Sequence, residues 1–280
     1  MGIYHRPGKL KDALAVLARS DVQLVAGCTD VFAASEAQEL CGSVLDITQI
    51  AELRGISKTG TGWRIGAATT WRDVCDAPLP AAFDMLKQAA REVGGIQVQN
   101  AGTVAGNICN ASPAADGMPP LLALDAQVEL VSERGVRQVP LAQFVTGPRE
   151  ISREKDEVVT SVLIPEASAV GRSRFLKLGA RKHLVISIAM TAVLLEVEAK
   201  VIKAAAVSVG ACGPVACRVS ALENVLVGCE LSSAVQLVQS DKFGDVLSPI
   251  SDVRGDADYR RDAAVELVRR AVHDVIEEIP

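Results

Sequence analysis

The 280-residue sequence predicts an α+β protein built in two parts, and three observations predict it. Up to residue 168, short apolar strands are interspersed with amphipathic helices around Gly-rich turns. From residue 173 onward, three strand-like runs are followed by helical stretches, the pattern of an antiparallel sheet with helices on one face. Residues 167–172 between them read as a linker. The expected division is therefore residues 1–168 and 169–280.

Each element follows from a local pattern. Residues 9–19 place Leu10, Ala13, Leu14 and Leu17 on one helical face. Residues 22–26 read as a short apolar strand, 27–30 as a tight turn and 31–40 as a second helix. Thr29 or Asp30 is the expected cap of that helix. A second short strand is expected at 43–47, and an alternating strand at 63–67 after a Gly-rich turn. Residues 80–93 read as a helix stopped by Gly94 and Gly95. The stretch 100–113 is rich in Gly, Asn, Thr and Ser and reads as a loop. It leads to a helix over 114–124, with Ser112 as N-cap and Pro113 as first helical residue. Strands at 127–131 and 136–139 form a hairpin around Arg134 and Gly135, and Pro165 ends a strand over 157–164. Strands at 173–179, 191–198 and 204–210 and helices at 219–227 and 258–279 complete the second part. Trp63 and Trp71 lie near strands and read as core.

Composition narrows the function classes. Hydrophobic residues make up 49% and charged residues 22%, which fits a folded globular chain and not a disordered one. The formal charge of −5 argues against nucleic-acid binding, which favours a basic excess. No apolar run reaches the ~18 residues a membrane span needs. The first residues contain no apolar signal region, so a cytoplasmic location is expected. Seven cysteines occur and no pair is spaced C-x-x-C, so neither a zinc ribbon nor an iron–sulfur cassette is expected. They read as reduced structural thiols, and His5, His183 and His273 are too scattered for a metal site.

Two stretches stand out. One is Leu24-Val25-Ala26-Gly27-Cys28-Thr29-Asp30-Val31. The other runs from Gln99 through Thr103-Val104-Ala105-Gly106-Asn107 to Asp116. Each puts small residues just before a helix start, where backbone N–H groups can approach an anion. Together they could cradle a pyrophosphate with no lysine. From spacing alone they read equally as ordinary tight turns with capped helices, because neither is a G-x-G-x-x-G or P-loop fingerprint.

The second stretch closely resembles the N-x-A/G-T-x-G-G-N-I-x-N-A-S-P-x-x-D signature of the FAD-binding medium subunits of molybdenum hydroxylases, the xanthine dehydrogenase and carbon monoxide dehydrogenase type. The first resembles that family's L-x-A-G-G-T-D-L loop. Further segments match in order: Tyr4-His-Arg-Pro, Leu45-Asp-Ile, Leu53-Arg-Gly-Ile, the segment from Arg64 to Trp71, Phe175-Leu-Lys177, the segment from Arg181 to Ser187, and the segment from Ile250 to Arg261. The resemblance covers nearly the whole chain.

What the resemblance implies is specific. The fold would be a two-subdomain FAD-binding domain of the PCMH / CO dehydrogenase flavoprotein type (subdomains about 1–55 and 56–168), followed by an antiparallel sheet-plus-helices C-terminal domain over 169–280. FAD would be held by residues 24–31 and by Thr103 to Asn107, with Asp116 at a position contacting the polar chain of the flavin. Lys177 matches a position near the cofactor and Val159 a backbone contact. Asp116 also reads as a first-turn acid favoured by the helix dipole, and Lys177 as a solvated strand lysine. Arg181 and Lys182 could attract the phosphates of NAD, or form a solvated basic pair. The chain would be the FAD-binding electron-transfer subunit of a multi-subunit enzyme. Its partners would be a large subunit carrying the molybdopterin cofactor and a small subunit carrying 2Fe–2S clusters. FAD would pass electrons to an acceptor such as NAD. No catalytic side chain and no metal ligand is expected in this chain. A purine or other N-heterocycle is the favoured substrate class of the whole enzyme.

The sequence departs from the family pattern twice. Cys28 and Ala105 stand where the family has glycine. A left-handed backbone at either would add about 1–2 kcal/mol of strain. The two departures support the alternative of an assembly subunit that has lost FAD. A stand-alone flavin oxidase is the third reading; such enzymes carry their own substrate domain and often a His or Cys linked covalently to the flavin, whereas the second part here is about 110 residues and His5 and His183 sit outside the two stretches.

Overall fold

The computed structural model describes residues 2–34 and 42–279. Its first layer is a small parallel sheet. Strand β1 (Tyr4–His5), helix α1 (Leu10–Leu17), strand β2 (Gln23–Val25), helix α2 (Val31–Ala34) and strand β3 (Val44–Asp46) follow one another. The strands pair in parallel in the order β1-β3-β2. Ala13, Leu14 and Leu17 pack on Leu45, Ile47, Ile50 and Leu53, so α1 buries the face its spacing predicts. Ligand loops of parallel sheets lie at the carboxyl ends of the strands, and the 26–30 turn leaves β2 at that end. The helix expected over 31–40 is observed at Val31–Ala34, and the remainder lies outside the described residues.

The second layer begins with β4 (Ile56–Thr59) and β5 (Gly62–Gly66). Five short helices come next: α3 (Trp71–Asp76), α4 (Asp84–Glu92), α5 (Ile96–Ala101), α6 (Val104–Asn110) and α7 (Met118–Ala123). Strands β6 (Gln127–Ser132) and β7 (Gly135–Pro140) form the expected hairpin. Helix α8 (Leu141–Phe144), β8 (Val145–Gly147), β9 (Glu150–Ile151) and β10 (Val158–Pro165) complete the part. An antiparallel sheet of order β4-β5-β10-β6-β7 results. A bulge in β10 between Val159 and Ser161 redirects that strand beside the candidate site.

Two sequence expectations need correction here. The stretch 100–113 is not a loop: most of it is α6, capped by Thr103, whose Oγ1 accepts the Gly106 N–H at 3.0 Å. Glycine and asparagine lower its intrinsic propensity, but burial of Val104, Ala105 and Ile108 outweighs that. Ser112 is not a helix cap; its hydroxyl accepts the Ala114 N–H in a turn, and α7 starts only at Met118. Trp71 is core as expected, fully buried, and it opens α3 behind a reciprocal capping box of Thr70 and Asp73.

The last layer is an antiparallel sheet of β11 (Arg172–Leu178), β12 (Ala189–Glu198), β13 (Val201–Gly210) and β14 (Cys217–Arg218), in that order. Helices α9 (Ser220–Leu226), α10 (Leu231–Ala234) and α11 (Ala257–Glu277) follow. Val193, Leu195, Val207 and Val209 pack with Leu222, Val268 and Val272 on one face. Met190, Ala192, Leu194 and Ala206 on the other face join the core of the preceding layer, with Met85, Leu86, Leu121 and Leu122. The sheet thus has helices on both faces rather than one. Its second cover, α4 and α7, comes from the first part of the chain. Burial on both sides explains why Ala189–Leu195 is a nearly continuous apolar run.

Candidate cofactor-binding site

The two small-residue stretches meet. A β-carbon placed on Gly27 would lie 1.9 Å from the Ala101 carbonyl oxygen and 2.9 Å from Gly102 Cα. One placed on Gly102 would lie 3.2 Å from Thr29 Oγ1. Backbone touches backbone, and only glycine permits it. The second stretch is itself clamped: Trp71 N–H donates to Gly102 O at 3.1 Å, and Val104 N–H donates to Thr69 O at 3.0 Å.

Between the stretches lies a cavity of about 610 Å³. That is within the usual range for a small-molecule site. Residues 24–31 form one wall, and Thr103, Ala105, Gly106 and Asn107 form another. Ile151, Arg153 and Val159 close the side. Among the described residues, the backbone N–H groups of Cys28, Thr29, Asp30 and Ala105 meet no protein acceptor. Unpaired donors converging on a concave surface are what an anionic ligand requires. Asn107 Oδ1 is buried and, among the described residues, has no hydrogen-bond partner. A buried orphan acceptor is destabilising unless a ligand or water donates to it. The donor set and the Gly27 contact together fit a dinucleotide with a pyrophosphate at its centre.

The strain anticipated from the two departures falls on one of them. Cys28 adopts φ 56°, whereas Ala105 is not among the positive-φ residues and sits inside α6. The Cys28 thiol reaches the Ala26 carbonyl at 3.4 Å, and burial pushes its pKa up, with Asp46 adding to the shift. Burial likewise pushes the Cys109 thiol up to about 11. Both thiols lining the cavity are therefore neutral and poorly nucleophilic at pH 7.

Asp46 ends β3 next to the cavity residue Ile47. It accepts from Thr48 N–H at 2.8 Å, Thr48 Oγ1 at 2.6 Å and Tyr4 Oη at 2.5 Å, and pairs with Arg6 at 3.1 Å. Burial alone would raise its pKa, but the Thr48 and Tyr4 hydrogen bonds and the Arg6 charge outweigh it and hold the carboxyl below its ordinary value.

Three of the residues singled out from sequence lie outside the cavity wall. Val104 is fully buried in the core. Asp116 and Lys177 form a buried ion pair, Nζ to Oδ2 2.7 Å, with side chains 9% and 6% exposed. Ser187 donates to the other Asp116 oxygen at 2.6 Å. Burial raises the Asp116 pKa despite these partners. The pair ties α7's approach to β11 across the two parts of the chain. Arg181 and Lys182 are exposed, and Arg181 donates to the Leu184 carbonyl of its own loop. Conversely, Cys109, Asn110, Ile151 and Arg153 line the cavity without having been singled out as cofactor residues. The first two lie inside the second small-residue stretch. Arg153 carries no motif.

Two family models match the chain in succession. Residues 1–167 match the FAD binding domain in molybdopterin dehydrogenase, and residues 174–275 match the CO dehydrogenase flavoprotein C-terminal domain. This chain belongs to the molybdopterin dehydrogenase FAD-binding family. It is similar to the putative xanthine dehydrogenase FAD-binding subunit of Escherichia coli K12, 39% identical over 166 residues. That match covers 58% of this chain and only 57% of that relative. The nicotinate dehydrogenase FAD-subunit of Eubacterium barkeri is 29% identical over 285 residues, 99% of this chain and 96% of the relative. The fold matches a solved carbon monoxide dehydrogenase chain from Hydrogenophaga pseudoflava with TM-score 0.90 and 30% identity, covering 98% of this chain and 96% of that one. The chain carries the FAD binding domain of that family, and its fold is the mixed α/β FAD-binding domain with an antiparallel C-terminal sheet domain. Among the described residues no helix is long and apolar enough to cross a membrane, and no cluster of metal-ligating side chains occurs.

Proposed function

We propose that this subunit holds FAD in the cavity between residues 24–31 and 103–107, and relays electrons from 2Fe–2S clusters of a small partner subunit to NAD. A large partner subunit would carry the molybdopterin cofactor and choose the substrate. The observation that carries this reading is the set of N–H groups that meet no acceptor among the described residues, on two backbones pressed together at Gly27 and Ala101. FAD supplies the two-electron chemistry when bound. The chain binds and orients it. The N–H groups of Cys28, Thr29, Asp30 and Ala105 would hold the pyrophosphate. Val25, Val31, Ile151 and Val159 exclude water from the side of the cavity. In this reading Asp116 and Lys177 act by position, holding β11 of the 169–280 domain against the 1–168 domain. No side chain here needs to move a proton for hydride transfer.

The names of relatives that include a nicotinate dehydrogenase, a nicotine 6-hydroxylase and a caffeine dehydrogenase support an N-heterocycle as the substrate class of the assembled enzyme. A cytoplasmic location belongs to the same reading. The test is anaerobic addition of NADH to the chain purified with its partners. Loss of the visible flavin absorbance supports NAD as the acceptor. A flavin that NADH leaves oxidised, but that an artificial acceptor reoxidises after substrate reduction, would refute NAD and keep the relay.

A further inference from the structure

We infer that Arg153 is the cation that neutralises the dinucleotide pyrophosphate in this cavity, a role that rests on the FAD reading above. The cradle itself is uncharged on its basic side: no lysine or arginine occurs in residues 24–31 or 103–110. Asp30 lines the same cavity and adds a negative charge. Backbone N–H dipoles alone would therefore face both a pyrophosphate and a carboxylate. Among the described residues lining the cavity, Arg153 is the only cation.

Its guanidinium is held in place for that task. Nη1 donates to the Glu157 carbonyl at 2.7 Å and to the Glu154 carbonyl at 3.1 Å. Both acceptors are neutral, so the charge is not compensated by these contacts. Among the described residues, Nε and Nη2 have no protein acceptor, and no carboxylate forms a salt bridge with Arg153. The side chain is half-buried, so solvent screens it incompletely. Its charge is felt across the cavity wall, where it lowers the Cys109 thiol against the larger effect of burial. With two nitrogens lacking protein acceptors among the described residues, the positive charge is left available to phosphate oxygens.

The experiment uses the full chain and three probes: FAD, ADP and adenosine. ADP shares the pyrophosphate with FAD, and adenosine lacks it. Arg153→Gln is expected to weaken FAD and ADP by roughly ten- to a hundredfold and to leave adenosine unchanged. Added salt should weaken ADP binding to the unaltered chain more than to Arg153→Gln. Arg153→Lys should restore most of the affinity, because charge and not shape is the cause. Melting temperatures of both variants separate binding from folding. Three outcomes overturn the inference while leaving FAD in the cavity: Arg153→Gln binding FAD within twofold of the unaltered chain, equal losses for ADP and adenosine, or no restoration by lysine in a folded variant. An unaltered chain that binds neither FAD nor ADP overturns the FAD reading itself, and this inference with it.

Discussion

Gly27→Ala tests the geometry of the cradle most sharply. The added β-carbon would sit 1.9 Å from the Ala101 carbonyl oxygen and 2.6 Å from its carbon, both backbone atoms. No rotamer change relieves such a contact, so one of the two backbones must retreat by about 1 Å. The 96–104 segment is clamped by Trp71 N–H to Gly102 O and by Val104 N–H to Thr69 O. The 26–30 turn therefore gives way, and its N–H groups leave the positions that face Ala105. Overpacking of this kind costs about 1–3 kcal/mol. Realised in the bound state, that is roughly a 5- to 150-fold rise in the dissociation constant for FAD. Fluorescence titration of FAD with the purified variant measures it, and far-UV circular dichroism checks that the sheet layers remain. Gly27→Ala binding FAD within twofold of the unaltered chain would refute the idea that backbone contact at Gly27 shapes the site.

Three other outcomes follow from the same structure. Cys28→Gly removes the left-handed strain at φ 56°, and after the extra backbone entropy of glycine it should gain about 1 kcal/mol, some 2 °C in Tm. Cys28→Ala should gain nothing, and a gain equal to that of glycine would show that the thiol, not the β-carbon, is the cause. Lys177→Met leaves Asp116 buried without its cation and should destabilise the chain by about 3 kcal/mol; the double variant with Asp116→Asn should lose much less than the two single losses combined, and additive losses would argue against the pair. Because Asp46 has a folded-state pKa below its unfolded value, its contribution is present above the ordinary aspartate range near ~4 and is lost as pH falls through the folded value. Urea midpoints taken from neutral to acid pH should fall less steeply for Asp46→Asn, and an unchanged slope would contradict that assignment.

How far the sequence carries depends on which physical signal decides an element. Helix α1 is legible because its apolar spacing is also its buried face. The β6–β7 hairpin is legible because alternation and a glycine at φ 136° agree. Helix α6 is not legible from propensity, because Gly106, Asn107 and Asn110 argue locally for a loop while tertiary burial of Val104 and Ile108 decides for helix. The spacing of Thr70 and Asp73 announces α3, because a capping box is written in the sequence itself. Covering of the last sheet by α4 and α7 is a long-range fact that no local pattern encodes. At the site, the two small-residue stretches are readable as stretches, but their meeting at Gly27 and Ala101 is not. Arg153 is invisible in sequence because a lone arginine after a two-residue strand has no periodicity or motif to mark it.

In the proposed reading this chain alone carries the complete FAD cradle. Titrating flavin-free chain with FAD, and following quenching of flavin fluorescence, tests it most directly. Saturation at one FAD per chain, reversed by ADP, is the predicted result. Undiminished fluorescence at every protein concentration, from a chain that circular dichroism shows to be folded, would contradict it.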